Sequence, residues 1–240
     1  MAPSASGMQN LLDICHRYSV ETELVFNPKK SVCMIFKPPK CKLSCPPVYL
    51  NNAELPPASL TKYLGCMIHE SGKDDEEIMR QMRLLYARAN YFLRVFHNCS
   101  MHVKLNLFQS HCATFYCPYL WTRFAVGTHN KIRVAYNNVY RKILGFCARD
   151  SASNMFVTNN INNMEALIRK QTYNFIERLS SSDNKLICQL NHCTTVLFGC
   201  IWNNWYKSLH VWIVMGMLFY CCTFYYCRCL CLSYYFISIW

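Results

Sequence analysis

The sequence predicts an α+β protein: short strands to about residue 70, a helical region from 71 to 190, and a hydrophobic tail from 191 to 240. Three observations predict it. Between Leu24 and Ile68, short apolar runs are separated by Asn-Pro, Pro-Pro and Asn-Asn turns, which is the punctuation of strands. From Asp74 onward apolar residues recur every three or four positions, the period of a helix. From Ser208 to Cys227, twenty residues pass without Asp, Glu, Lys or Arg, a run long enough to cross a bilayer.

The elements follow in order. Gly7 to Tyr18 reads as a helix with Leu11, Leu12, Ile14 and Cys15 near one side and Met8 a turn earlier. Leu24–Phe26 reads as a short strand, and Asn27-Pro28-Lys29-Lys30 as a turn, since Pro presets φ. Ser31–Phe36 is the next strand, with Val32, Met34 and Phe36 on one face and Cys33 and Ile35 on the other. The segment from Lys37 to Pro47 holds three Lys, four Pro and two Cys, and reads as a loop. Asn51-Asn52 forms a tight hairpin turn between Val48–Leu50 and Ala53–Leu55. Tyr63–Ile68 reads as one more apolar strand, its Gly65 marking a close approach to the backbone.

Asp74 to Asn98 is the strongest helix. Asp74 and Glu77 have capping-box spacing, and four acidic residues fill the first turn, where the helix dipole favours them. Ile78, Met82, Leu85, Ala89, Phe92 and Phe96 form one apolar stripe, and Arg80, Arg83, Arg88 and Arg94 take the opposite face. Ser100 opens a helix to about Tyr116, which Pro118 stops. Thr128 caps another, with Ile132, Ala135, Val139 and Ile143 inward and Gly145 as its stop. A further helix runs from about Asn163 to Leu179, with Leu167, Ile168, Phe175 and Leu179 apolar, before a polar linker at Ser180–Asn184.

The net charge is +12, which favours an anionic partner. Its placement is more informative. From Arg80 to Arg149 there are eleven Lys and Arg residues and no Asp or Glu, a one-sidedness suited to phosphate contact. Lys131, Arg133, Arg141 and Lys142 interleave with Tyr136 and Tyr140, a pattern that stacks on bases and touches phosphates. Aromatic residues at helical spacing are more often core, and Tyr136 is read as core.

Seventeen cysteines are an odd number, and the N-terminus lacks an apolar signal-peptide core, so reduced thiols are expected. Cys41 and Cys45 have the spacing of a zinc pair but no second pair at a suitable distance. His97 with Cys99, His111 with Cys112, and His192 with Cys193 form no four-ligand set by spacing and are read as structural.

Asn27, Lys30 and Ser31 match N-x-x-K-[ST], Tyr63-Leu64-Gly65 reads Y-L-G, and the chain starts Ala2-Pro3-Ser4-Ala5-Ser6-Gly7-Met8-Gln9. In this order and spacing, from Met1 to about Leu190, they resemble the end of the palm and the thumb-like region of a reverse transcriptase from a non-LTR retrotransposon. The resemblance implies a truncated palm over residues 1–70, a helical thumb-like connection over 71–190, and a Y-L-G hairpin lying against the primer strand. It implies a role for Lys30 as general acid near the leaving pyrophosphate, set against a plain turn lysine in solvent. The partner it implies is RNA or an RNA–DNA duplex, bound weakly and without sequence preference through Arg80, Arg83, Arg88, Arg94, Lys131, Arg133, Arg141 and Lys142.

The sequence departs from that family in one respect. The Y-x-D-D motif is absent, and the resemblance places it and the other metal-binding aspartate upstream of Met1. The intact family uses Mg2+ held by such carboxylates. The Asp74-Asp75 pair follows Gly72-Lys73 and opens a helix, so it reads as helix-start charge rather than a metal site. The expectation is a polymerase fragment that is inactive alone and holds no cofactor.

The tail supports two readings. As a C-terminal helix over about 208–227 it is a membrane anchor, flanked by Lys207 and Arg228. Alternatively it is sequence never selected as protein, which the loss of acidic residues after Asp183 fits. The competing function is a membrane-anchored basic protein with no polymerase role. The location is nuclear or cytoplasmic if the tail is not functional, and a membrane if it is.

Overall fold

The computed structural model describes residues 1–27, 30–37 and 44–192, and the backbone of 235–238. The fold is α+β, with helices joined to short antiparallel strand pairs. Its described residues divide into two units, Met1–Lys73 with the strand Tyr235–Ser238, and residues 74–192.

The first unit opens with α1, Ala5–Glu21, whose N-cap Ser4 accepts the Gly7 amide. That serine, in the role such residues favour, starts the helix earlier than its apolar spacing predicts. Only Met8, Leu12 and Ser19 of α1 are buried; Leu11 and Ile14 are exposed, against the predicted stripe. Leu24–Phe26 is not a strand. Glu23 turns the chain at φ 56°, the Leu24 amide bonds back to the Ser19 carbonyl, and Val25 is 89% exposed. With no neighbouring strand among the described residues to satisfy its backbone, that run stays a loop.

The turn at Asn27 is present: the Asn27 carbonyl accepts the Lys30 and Ser31 amides and the Ser31 hydroxyl. Strand β1, Val32–Ile35, follows and buries both faces, with Cys33 and Met34 each inside. The strands β2, Tyr49–Leu50, and β3, Ala53–Glu54, pair across Asn51 and Asn52, both left-handed at φ 52° and 61°. Asparagine tolerates that region, which a type I′ hairpin turn requires. The edge of β2 is covered by a side chain. The Gln9 amide donates to the Tyr49 carbonyl at 3.0 Å and accepts the Tyr49 amide at 2.9 Å.

Tyr63–Ile68 is not one strand. Strands β4, Leu60–Tyr63, and β5, Cys66–His69, are antiparallel, with Tyr63 opposite Cys66. Leu64 and Gly65 make the turn at φ 45° and 85°. The glycine marks the reversal, since it enters that region without the Cβ penalty. A small core joins Ala2, Met8, Leu12, Cys33, Val48, Leu50 and Leu55. Burial pushes the Cys33 thiol up to about 11, which suits an unreactive core thiol. The last strand, β6, Tyr235–Ser238, pairs antiparallel with β1.

The second unit is helical. Helix α2 spans Asp75–Val95, and its predicted stripe packs: Ile78, Leu85, Ala89 and Phe92 are buried, with Met82 and Phe96 partly so. The capping box does not form. Asp74 makes no cap bond within its own helix; its Oδ2 accepts the amides of Thr122 and Arg123 at 2.8 and 2.7 Å. Asp75 Oδ1 accepts the Ala125 amide at 3.0 Å. The start of α2 is thus tied to the loop before α4, which a local sequence motif cannot reveal.

Ser100 stands at the N-cap of α3, Met101–Leu107, without a side-chain cap bond. The chain continues as a π-helical turn, Phe108–Cys112, and a 3-10 turn, Pro118–Leu120, after Cys117 at φ 48°. The predicted helix to Tyr116 therefore ends earlier, and its widened turn places Phe108 and Cys112 fully inside. Helix α4, Val126–Leu144, begins two residues before Thr128, with Ala125 as its N-cap. It ends at Gly145, left-handed at φ 78°, the expected C-terminal stop. Helix α5, Ala152–Thr158, is too short for apolar periodicity to reveal; its N-cap Ser151 accepts the Asn154 amide. Helix α6, Met164–Ser180, begins after Asn163, whose side chain accepts the Ala166 amide. Helix α7, Lys185–His192, follows the polar linker.

An aromatic cluster fills the centre of this unit. Phe108 meets Tyr136 and Tyr140 at 5.4 and 4.9 Å between ring centroids, and Phe156 meets Tyr140 at 4.6 Å. These offset and edge-on contacts are the favoured aromatic geometries. Among the described residues no helix is long and apolar enough to cross a membrane. The predicted tail helix over 208–227, like the Cys41 of the candidate zinc pair, lies outside the described residues.

Candidate nucleic-acid interface

The candidate residues fall into both units. In the first, Lys30 is exposed in the turn closed by Asn27. Tyr63, Leu64 and Gly65 form the tip of the β4–β5 hairpin, with Leu64 exposed.

In the second unit the candidate cations differ sharply from one another. Arg80 forms a bidentate pair with Glu77, Nε to Oε2 at 2.8 Å and Nη2 to Oε1 at 2.6 Å. The pair is largely inside, with side chains 20% and 4% exposed, and Gln81 donates a further bond to Glu77. A buried carboxylate needs such partners. Arg88 turns toward the π-helical turn, where Nη1 donates to the Thr114 carbonyl at 2.8 Å and to its hydroxyl at 3.2 Å. The simple picture of four arginines on one outer face is therefore corrected: two of them brace the fold.

Arg83 and Arg94 remain exposed on α2, with Arg94 lying 5.9 Å from the centre of the Tyr91 ring. On α4, Lys131 and Lys142 are exposed. Arg133 is exposed too and faces Glu165 of α6 at 3.8 Å, a separation worth little at a solvated surface. Arg141 is held closer in. Its Nη1 donates to Asn138 and its Nη2 to the Asp150 carbonyl at 3.0 Å.

The aromatic half of the α4 pattern is core. Tyr136 and Tyr140 are fully buried, and their hydroxyls donate to the carbonyls of Asn162 and Met155. Burial pushes the Tyr140 phenol up to about 12. Tyr136 is core, as its helical spacing predicts, and Tyr140 is equally inaccessible to a base.

Asp74 Oδ2 and Asp75 Oδ1 accept the amides before α4. Burial raises the Asp74 carboxyl above its ordinary range, opposed by its bonds to the Arg123 and Thr122 amides. Among the described residues no three His, Cys, Asp or Glu side chains gather as a metal-holding group. Cys112 is buried, and burial pushes its thiol up to about 11. An open cavity of about 520 Å³ lies between Tyr119 and the α6 residues Gln171, Asn174, Glu177 and Arg178; none of the candidate residues lines it.

Sequence reasoning passes over Tyr86 and Tyr91, exposed tyrosines on the arginine face of α2. Their spacing from Arg83 and Arg94 is the signal that could have found them. Compared with known proteins, the chain matches no family model, no curated protein and no solved structure.

Proposed function

We propose that this chain is a fragment related to the reverse transcriptase of non-LTR retrotransposons, covering the end of the palm and the thumb-like helices. On this reading it does not polymerise alone. It retains weak, sequence-independent binding to the backbone of RNA or an RNA–DNA duplex. The carrying observation is the exposed cation set Arg83, Arg94, Lys131, Arg133 and Lys142, in a stretch without Asp or Glu from Arg80 to Arg149. Neutralising phosphates with such residues releases counterions.

Arg83 and Arg94 are eleven residues apart, three helical turns and about 16 Å along the axis. Lys131 and Lys142 repeat the same interval on α4. Two such pairs can each follow a phosphate backbone. The order of the N-x-x-K-[ST] and Y-L-G motifs supports the ancestry, and the Leu64-Gly65 hairpin tip fits an element laid against a primer. The Asp74-Asp75 pair binds backbone amides at the start of α2 and gathers no third ligand among the described residues, so on this reading no catalytic step is routed through it.

The test is fluorescence anisotropy of the full chain with an RNA–DNA duplex over a salt series. Replacing Arg83 and Arg94 by Gln should lower the salt slope by roughly one to two, at about 0.9 for each phosphate no longer neutralised. An unchanged slope, or no binding by the wild type, overturns the reading. Ancestry is tested separately by the coding sequence upstream of Met1. An aromatic-x-Asp-Asp within a few codons supports it, and unrelated sequence overturns it.

A further inference from the structure

We infer that the outer face of α2 is a stacking platform for unpaired bases, so that the preferred ligand is single-stranded nucleic acid; this rests on the phosphate-binding reading above and names its ligand. Arg83 and Arg94 lie only about 20° apart around the helix, at 100° per residue, and mark the middle of that face. Tyr86 stands three residues after Arg83 and falls about 60° to one side; Tyr91 stands three residues before Arg94 and falls about 60° to the other. The two rings therefore flank the arginine row. Tyr86 is 42% exposed and Tyr91 56% exposed, unlike the tyrosines of α4, which are inside.

The chemistry selects the occupant. The arginine row attracts a polyanion, and no acidic residue follows Glu77 on this helix. The flanking rings supply flat apolar faces beside it, which phosphate contact alone does not need. In a duplex the base faces are covered by their neighbours, whereas an unpaired strand offers them to aromatic side chains. Arg94 already sits against the Tyr91 ring at 5.9 Å, a cation–π contact that holds a phosphate-binding group next to a stacking surface. Phe96 meets the same ring edge-on, with centroids 6.5 Å apart, and supports it from the end of the helix.

The test compares a short oligothymidylate with an abasic oligonucleotide of equal length and charge, and with a duplex, all binding the full chain. The wild type should prefer oligothymidylate over the abasic strand by at least about fivefold. The double variant Y86A/Y91A should abolish the preference, binding the oligothymidylate no better than the abasic strand. Y86F/Y91F should restore the preference, because Phe keeps the ring. Wild-type protein binding both strands equally overturns the platform and leaves phosphate binding standing. Protein binding the duplex but neither strand overturns the platform alone, and protein binding none of the three overturns both. Should Y86A/Y91A fail to fold, the wild-type comparison with the abasic strand still decides.

Discussion

Arg88 on α2 reaches Thr114 beyond the π-helical turn, its Nη1 2.8 Å from the carbonyl oxygen and 3.2 Å from the hydroxyl. The same nitrogen lies 3.4 Å from the His111 carbonyl. The His111 carbonyl stands in the last turn of the helical segment Phe108–Cys112, where carbonyls lack a partner within the helix. It accepts the Thr114 hydroxyl as well, and the Thr114 carbonyl lies two residues beyond the segment. Arg88 supplies them with a charged donor. It belongs to the scaffold, although its charge alone groups it with Arg83.

That difference gives the first prediction. Arg88→Gln should lower stability by about 1–2 kcal/mol, the cost of losing a charged hydrogen-bond donor to those carbonyls. It should leave the salt slope of duplex binding where the wild type has it. Urea unfolding and the salt series read the two effects separately. An R88Q protein of wild-type stability whose slope has dropped would place Arg88 in the interface instead.

How much is legible in the sequence follows from the range of each interaction. The α2 stripe, the Asn51-Asn52 turn, Gly145 and the Asn163 start of α6 depend on residues within a turn or two, and spacing reveals them. Asp74 bonding to Thr122 and Arg123, and Arg88 bonding to Thr114, join residues far apart in the chain. A capping box and a cationic face are reasonable local readings that these distant partners override. The tyrosines show the same limit. Tyr140 and Tyr91 are both tyrosines among basic residues, and only packing against Phe108 and Phe156 decides that the first is core. The candidate site is thus half legible: charge alone points to its exposed cations, whereas its aromatic partners need the packing to be known.

The β4–β5 hairpin carries the second prediction. Leu64 is 65% exposed and left-handed at φ 45°, a conformation costing a leucine about 1–2 kcal/mol. Leu64→Asn creates Asn-Gly, the favoured type I′ pair, and should stabilise the protein by about 0.5–1 kcal/mol. Gly65→Ala should destabilise it, since alanine carries the same penalty at φ 85°. If the hairpin tip lies against a primer as proposed, L64N should also weaken binding to an RNA–DNA duplex while raising stability. An L64N protein that neither gains stability nor loses affinity would remove the reason for keeping strain at that tip.

Asp74 gives the last prediction, and its sign can be worked out. Burial raises its carboxyl, the Arg123 and Thr122 amides pull it back, and the charge of Asp75 adds to the rise. The net direction is upward, so the folded chain holds that proton more tightly than the unfolded chain does. This contribution to stability therefore falls as pH rises from the ordinary aspartate value of about 3.9 through the folded value, and at neutral pH the ionised form is carried at full cost. Asp74→Asn keeps an oxygen with two lone pairs for the two amides and removes the charge. It should be neutral or mildly stabilising at neutral pH, and its advantage over the wild type should shrink near pH 4. Asp74→Ala leaves both amides without their acceptor and should cost about 1–3 kcal/mol. Urea unfolding of the three proteins at both pH values makes the comparison. Were D74N as damaging as D74A at neutral pH, the negative charge rather than the acceptor oxygen would be what ties the start of α2 to the loop before α4.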